Sequence, residues 1–523
     1  MQSLTSSVVG LLARLLTAAL LLAAGAVAVD YARMLYRRRS LPPGPMPWPL
    51  FGNYFQTPKD RPWLEWEQWS KKYDSTMLTL WVGREPRIII NDAWDACELM
   101  EKRADIWSSR PHLIAMGDAI NLTETNQTVL PYGDRWRLHR RLMHTAVGTQ
   151  AVRSYKGFQA DESKILTRDI LEDPEDYVMS IERYSVSVTS IVGWGRRIDR
   201  KNDLIAQQAL KLMEGVDLVI PGLYIIEALP WLCKLPRWLY KFPTDLWHGS
   251  AIGARFFWML SKEGADAPED NFAKRLILGQ EKEGLTDLEV AGLAGNLLGG
   301  GVDTTTSTML SCILAMCAFP DVQRKAQAEI DSVVGKDRSP SWEDIAENRL
   351  PYIEAIVKEA LRWRTVTILA GIPHANTVDF DYKGYHFPAG TNVTANMWAI
   401  HRNPRDFPEP DVFRPERFLN GLERPYPNAR GSNPFGFGRR SHLAFDMRPG
   451  LDQNGQEIKL DLFAYSASEN IRPLPFKARF ISRSEDISRL ITDEAVRARD
   501  ALRVYDGETR VTMAEAAKNP AYN

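Results

Sequence analysis

The sequence predicts a mainly α-helical fold with small β-sheets and an N-terminal transmembrane helix. Three observations carry this prediction. From Val8 to Val29 the chain is apolar except for Arg14, and at about 1.5 Å of rise per residue such a helix crosses a bilayer core. From Asp287 to Phe319 an apolar pattern runs for over thirty residues without a break, as in a buried central helix. Strand-type runs are short, at 76–90 and 371–393, too few for a sheet-based fold.

The apolar N-terminal stretch is followed by Arg33 and by Arg37, Arg38 and Arg39. Basic residues after a span keep the following chain on the cytoplasmic side. A cleaved signal peptide is the competing reading; the length of the stretch and its stiff exit, "RRRSLPPGP", favour an anchor. The prolines between 41 and 53 end the helix and lead into a globular body. The body itself, 25% charged with a net charge of −1, lacks the basic excess of a nucleic-acid-binding surface. Cys97, Cys233, Cys312 and Cys317 are too few and too scattered for a disulfide framework or a zinc pair. Cys312 and Cys317 fall in an apolar helical stretch and are read as core thiols, so the body faces a reducing compartment. The sequons at Asn121, Asn126 and Asn392 are then silent.

Residues 76–103 are expected to form two strands around a Gly-Arg-Glu-Pro turn and then a helix. Helical patterns dominate from 134 to 290, broken by Pro-rich joints such as "EALPWLCKLPRW". The long central helix opens with Thr286 and Glu289, the S/T-x-x-E pattern of a capping box, and ends before Pro320. Inside it stand Gly299, Gly300 and Gly301, then Asp303 and Thr304 to Thr306. Each interior glycine costs about 1 kcal/mol against alanine. Close packing of a neighbouring helix would explain them; a groove where a flat ligand lies on bare backbone explains the adjacent acid and alcohol as well. A further helix starts at Pro351 and carries Glu359 and Arg362 three apart, on one face, a spacing also found in ordinary surface ion pairs. A hairpin series is expected at 371–393, and a meandering loop carries Arg417.

These pieces, in this order, resemble the cytochrome P-450 superfamily of haem-thiolate monooxygenases, microsomal type. The resemblance runs from Leu41 onward. It rests on Gly300-Gly301-Val302-Asp303-Thr304-Thr305 against the oxygen-activation pattern, on Glu359 and Arg362 against E-x-x-R, on Arg417 in "PERF", and on Trp136 and Arg140 against W-x-x-x-R. The wording of 385–418 is similar to members from filamentous fungi, many of which act in secondary metabolism. The resemblance implies a cytochrome P-450 fold, a membrane anchor at 1–39, a haem domain at 40–523, and a single-pass endoplasmic-reticulum protein with a cytosolic body. It implies a haem cofactor, electrons from an NADPH-cytochrome reductase, a small hydrophobic substrate and no nucleic acid. Asp303 and Thr304 would serve catalysis as proton source and relay on the oxygen side of the haem. Trp136, Arg140, His374, Phe435, Gly438 and Arg440 would hold the haem, the arginines by charge-assisted bonds to propionates, with Gly300 and Gly301 against its face. Residues 112–130 and 463–475 would form the two lips of the substrate pocket.

The chain departs from the family at one place. The haem loop F-x-x-G-x-R-x-C-x-G is matched by Phe435, Gly438 and Arg440, but its cysteine column holds His442 and no cysteine follows Cys317. Phe445 to Pro449 already resembles the strand that relatives reach only after a long helix, so roughly twenty residues, a helix of about 30 Å, are missing. No residue of this chain is therefore assigned to the metal. Three readings are open. His442 replaces the thiolate; or the protein is an inactive, haem-free remnant whose central helix has lost a packing partner; or the sequence is incomplete at a splice junction. The third best explains why the other motifs are intact on both sides. A thiolate matters because its electron donation favours O–O cleavage.

Overall fold

In the computed structural model, residues 2–200, 203–207, 218, 220–428, 430–432 and 445–518 are described. The haem-loop residues Phe435, Gly438 and Arg440, and His442 with them, lie outside the described residues.

The N-terminal helix runs over Gln2–Arg37, about 54 Å at the α-helical rise. It is long and apolar enough to cross a membrane, and its apolar window has no share buried against the rest of the chain. Its last turns behave differently. Met34 is buried in one apolar cluster with Leu41, Met77, Trp81 and Ile88. Asp30 pairs with Arg84 at 3.0 Å, and the Tyr31 hydroxyl donates to the Pro47 carbonyl at 3.0 Å.

That cluster sits on a four-stranded sheet whose strands lie in the order β1 (Met77–Val82), β2 (Glu85–Ile90), β6 (Asn392–Ala395) and β3 (His374–Ala375). Strands β1 (Met77–Val82) and β2 (Glu85–Ile90) form the expected hairpin. Its turn is made by Gly83 at φ +59°, a left-handed conformation that glycine adopts without steric cost. The later hairpin region supplies β3 (His374–Ala375), the small β4–β5 hairpin (Phe380–Tyr382, Tyr385–Phe387) and β6 (Asn392–Ala395). β6 pairs parallel to β2 and antiparallel to β3. β7 (Phe445–Pro449) pairs with β8 (Ala478–Ser482). Of the three sequon asparagines, Asn126 and Asn392 are buried and Asn121 is exposed.

The central helix, Asp287–Ala318, starts at the capping box predicted for Thr286 and Glu289. Apolar residues are buried all round its second half, where Leu310, Ile313, Leu314 and Met316 join the main core with Phe445 and Met447 of β7. None of its large apolar side chains is exposed, so within the described residues the helix is not stripped of packing as the remnant reading requires. The helix Pro320–Val333 holds β7 by Gln323, which accepts from the Met447 amide at 2.7 Å and donates to its carbonyl at 3.1 Å.

The Glu359–Arg362 pair, on the helix Pro351–Trp363, is no surface ion pair. Both side chains are sealed from solvent. The guanidinium donates twice to the carboxylate, at 2.7 and 2.8 Å, and again to the carbonyls of His401 and Pro410. Glu359 also accepts from the Arg414 amide at 2.8 Å and lies 3.4 Å from Arg417. Three charges from two remote segments thus close into one knot.

Candidate functional site

The central helix packs against a neighbour, Tyr177–Trp194, and its glycine and threonine runs divide between two faces. A Cβ on Gly301 would stand 2.8 Å from the Thr189 hydroxyl, whereas one on Gly300 would meet nothing within 4 Å. Thr306 donates to Ser185 at 3.1 Å on the packed side. Thr304 lies on the open side, where its hydroxyl donates to the Gly300 carbonyl at 2.6 Å. Gly301 therefore answers to helix packing, and Gly300 to an open groove. Helical spacing alone could not separate the two, because the partner helix is remote in sequence.

Asp303 is 8% exposed. Burial raises its carboxyl above the ordinary range, opposed by the Arg472 charge and by hydrogen bonds from Asn470 and Ser307. An acid in this state holds a proton at higher pH than usual and can give it up. Asn470 and Arg472 belong to the segment 463–475, and Tyr465 of the same segment donates to Ser311 of the central helix at 3.1 Å. The loop 112–130 reaches the same helix one turn before Gly300. There Asn126 and Asn296 exchange amide hydrogen bonds at 2.9 and 3.3 Å. Both segments expected at the pocket thus lie on the central helix.

A second set of residues gathers beside β3. His374 donates from Nδ1 to the Trp107 carbonyl at 2.9 Å. Burial, then the nearby Arg110 charge, pushes it down to about 4. Arg110 donates to the carbonyls of Ile372 and Pro373, and burial brings it down to about 10. No carboxylate pairs with it among the described residues. Arg110 and His374 are each half-buried. Ser109 connects them to the next element: its carbonyl accepts from the Ala375 amide and its hydroxyl from the Tyr132 amide at 3.2 Å. The Tyr132 ring lies 5.2 Å from that of Trp136. Trp136 and Arg140 ride on the helix Asp134–Val147, the first partly buried and the second exposed.

The adjacent ridge of that helix fixes its rotation. His139 is sealed and bonds Glu289 at 2.9 Å, and Arg135 binds the same carboxylate. Burial opposes ionisation of Glu289, but the bonds from Arg135, Thr286 and His139 outweigh it and hold the carboxyl at about 2. The residue that caps the central helix therefore also docks the helix carrying Trp136 and Arg140.

A cation with no carboxylate partner among the described residues, a tryptophan and a neutral histidine suit the anionic edge of a porphyrin, and bare backbone at Gly300 suits its face. The donor set for the iron does not fit. The four cysteines are Cys97, Cys233, Cys312 and Cys317, and burial raises the Cys317 thiol to about 12, away from the thiolate that iron requires. Arg110 escaped the motif reading. Its signal was a charged residue inside "WSSRPH", followed by no acid before Asp118.

Comparison gives the family: the profile described as Cytochrome P450 matches residues 42–441, and the chain belongs to that family. It is similar to cytochrome P450 monooxygenase 105 of Postia placenta, 33% identical with 90% of this chain and 94% of the relative covered. It is also similar to cytochrome P450 monooxygenase 226 of that fungus, 32% identical over 87% and 91%, and to tryptamine 4-monooxygenase of Psilocybe cyanescens, 30% identical over 90% and 98%.

Proposed function

We propose that this protein is the scaffold of a fungal monooxygenase that inserts one oxygen atom of dioxygen into a small hydrophobic molecule, in secondary metabolism. The observation that carries the reading is the open face of the central helix. Gly300 has free space, Thr304 stands one turn on, and the buried Asp303, its carboxyl raised by burial, lies beside it. Thr304, having donated to Gly300, keeps lone pairs to accept from a water. Asp303 supplies the proton, and Arg472 and Asn470 tune how readily it leaves. Trp136, Arg140, His374 and Arg110 would hold the carboxylates of the haem, and the resemblance assigns Phe435, Gly438 and Arg440 to the same cofactor. The haem, when bound with a thiolate, supplies the activation of dioxygen. Electrons come from NADPH through a membrane reductase. Residues 1–39 are the anchor with its basic flank and 40–523 the haem-type domain, held at the endoplasmic reticulum on the cytosolic side. The named relative that acts on tryptamine supports a small-molecule substrate.

The chain as it stands does not supply the thiolate, and we take the active form to carry a cysteine-containing segment between Arg440 and Phe445. Two measurements test this. Sequencing cDNA across that junction is expected to reveal the insert. A reduced carbon-monoxide difference spectrum of the present chain is expected to show no thiolate-type Soret band, and the insert-bearing form is expected to show one. A thiolate band from the present chain sinks the proposal. A histidine-type band abolished in His442→Ala replaces it with histidine ligation.

A further inference from the structure

The loop 112–130 contains little regular structure, a single short turn of helix at Asp118–Ile120, so its own backbone does not fix where it lies over the central helix. Its middle is held on one side by the Asn126–Asn296 exchange. On the other side it meets the segment 220–246. There Ala115 and Ile226 are fully buried, with Ile114, Met116, Tyr224 and Phe242 packed around them in a cluster separate from the main core.

Within that cluster sits one carboxylate. Glu227, on the short helix Ile225–Ala228, accepts at Oε1 from the backbone amides of Ile114 and Ala115, at 3.1 and 2.7 Å. Its Oε2 accepts from Arg87 of β2 at 3.0 Å, and both side chains are more than nine-tenths buried. The segment bearing Glu227 is itself fixed to the body. The Gly83 turn packs so tightly on Ala228 that a Cβ would stand 2.4 Å from its carbonyl oxygen, and Lys59 donates to the Gly222 carbonyl at 2.7 Å. A carboxylate taking two backbone amides makes charge-assisted bonds, stronger and more directional than apolar contact. A buried carboxylate also persists only when paired, and Arg87 provides the pairing.

We infer that Glu227 is a positioning residue for the roof of the site: it holds the backbone at Ile114 and Ala115, and so sets how the loop 112–130 lies over the open stripe of the central helix. It touches no reacting atom and acts through the loop. That the roof shapes the choice of substrate rests on the monooxygenase reading; the positioning does not.

Amide hydrogen exchange in the full chain, read by peptide, tests the positioning without haem or substrate. In the double variant Glu227→Leu with Arg87→Met, no buried charge is left unpaired, but the two amides lose their acceptor. Peptides spanning 112–130 are then expected to exchange at least tenfold faster, with 77–90 and the central helix unchanged. In Glu227→Gln the acceptor survives while Arg87 is stranded. There the roof is expected to stay slow and 77–90 to speed up. Unchanged exchange of 112–130 in the double variant, or a rise shared equally by the whole chain, overturns the inference. The carbon-monoxide spectrum speaks to the monooxygenase reading alone, so the two fail separately.

Discussion

Two groups of arginines lie deep in this protein and are treated differently. At the knot, Arg362 is sealed and fully answered by Glu359 and two carbonyls. Beside β3, half-buried Arg110 finds only carbonyls among the described residues. A charge that folding has already paired is structural, because stranding it is costly. A charge without a carboxylate partner among the described residues strands no opposite charge when it is removed. The same contrast separates Gly301, filled by a neighbouring helix, from Gly300, which faces space.

The largest expected effect comes from the closed group. Glu359→Gln strands Arg362 and Arg417 and is expected to cost about 3–5 kcal/mol, seen as a large drop in the urea midpoint. Next come the glycines, with opposite signs. Gly301→Ala drives a methyl into Thr189 and is expected to cost about 1–3 kcal/mol. Gly300→Ala meets nothing and is expected to stabilise by about 1 kcal/mol through helix propensity. Equal effects in thermal melts would erase the division between the two faces.

Asp303→Asn sharpens the contrast through pH. The folded carboxyl titrates above its unfolded value of 3.8, so the folded state holds the extra proton and the wild type loses stability as pH rises from about 4 through the folded value. The variant is expected to be more stable than the wild type at pH 7 and to match it below pH 4. Melting curves across pH 3–8 check the sign. A smaller loss than that of Glu359→Gln is expected from Arg110→Met, about 1–2 kcal/mol, because two carbonyls lose their donor but no opposite charge is stranded. A loss as large as that of Glu359→Gln would make Arg110 part of the scaffold instead.

Local signals made much of this legible. The capping box at Thr286 and Glu289, the hairpin at Gly83 and the Pro351 helix start depend on residues within a few positions, and each stands where the pattern put it. The knot was legible from the residues alone only as a spacing, and the resemblance singled out Glu359, Arg362 and Arg417; its sealing depends also on Arg414, over fifty residues on. Glu227 carried no signal, because its partners Arg87, Ile114 and Ala115 are set more than a hundred residues away. The family profile ends at residue 441, one residue past Arg440, where the cysteine loop departs from its pattern.

The docking of the N-terminal helix has a mechanical consequence. With Met34 in the sheet cluster and Asp30 and Tyr31 tied to Arg84 and Pro47, the helix is a lever welded to the body and not a slack leash. Any surface that grips its apolar length also dictates which way the body tilts and rolls. Cutting the chain at residue 39 would do more than free a soluble domain: it would pull a plug from the sheet.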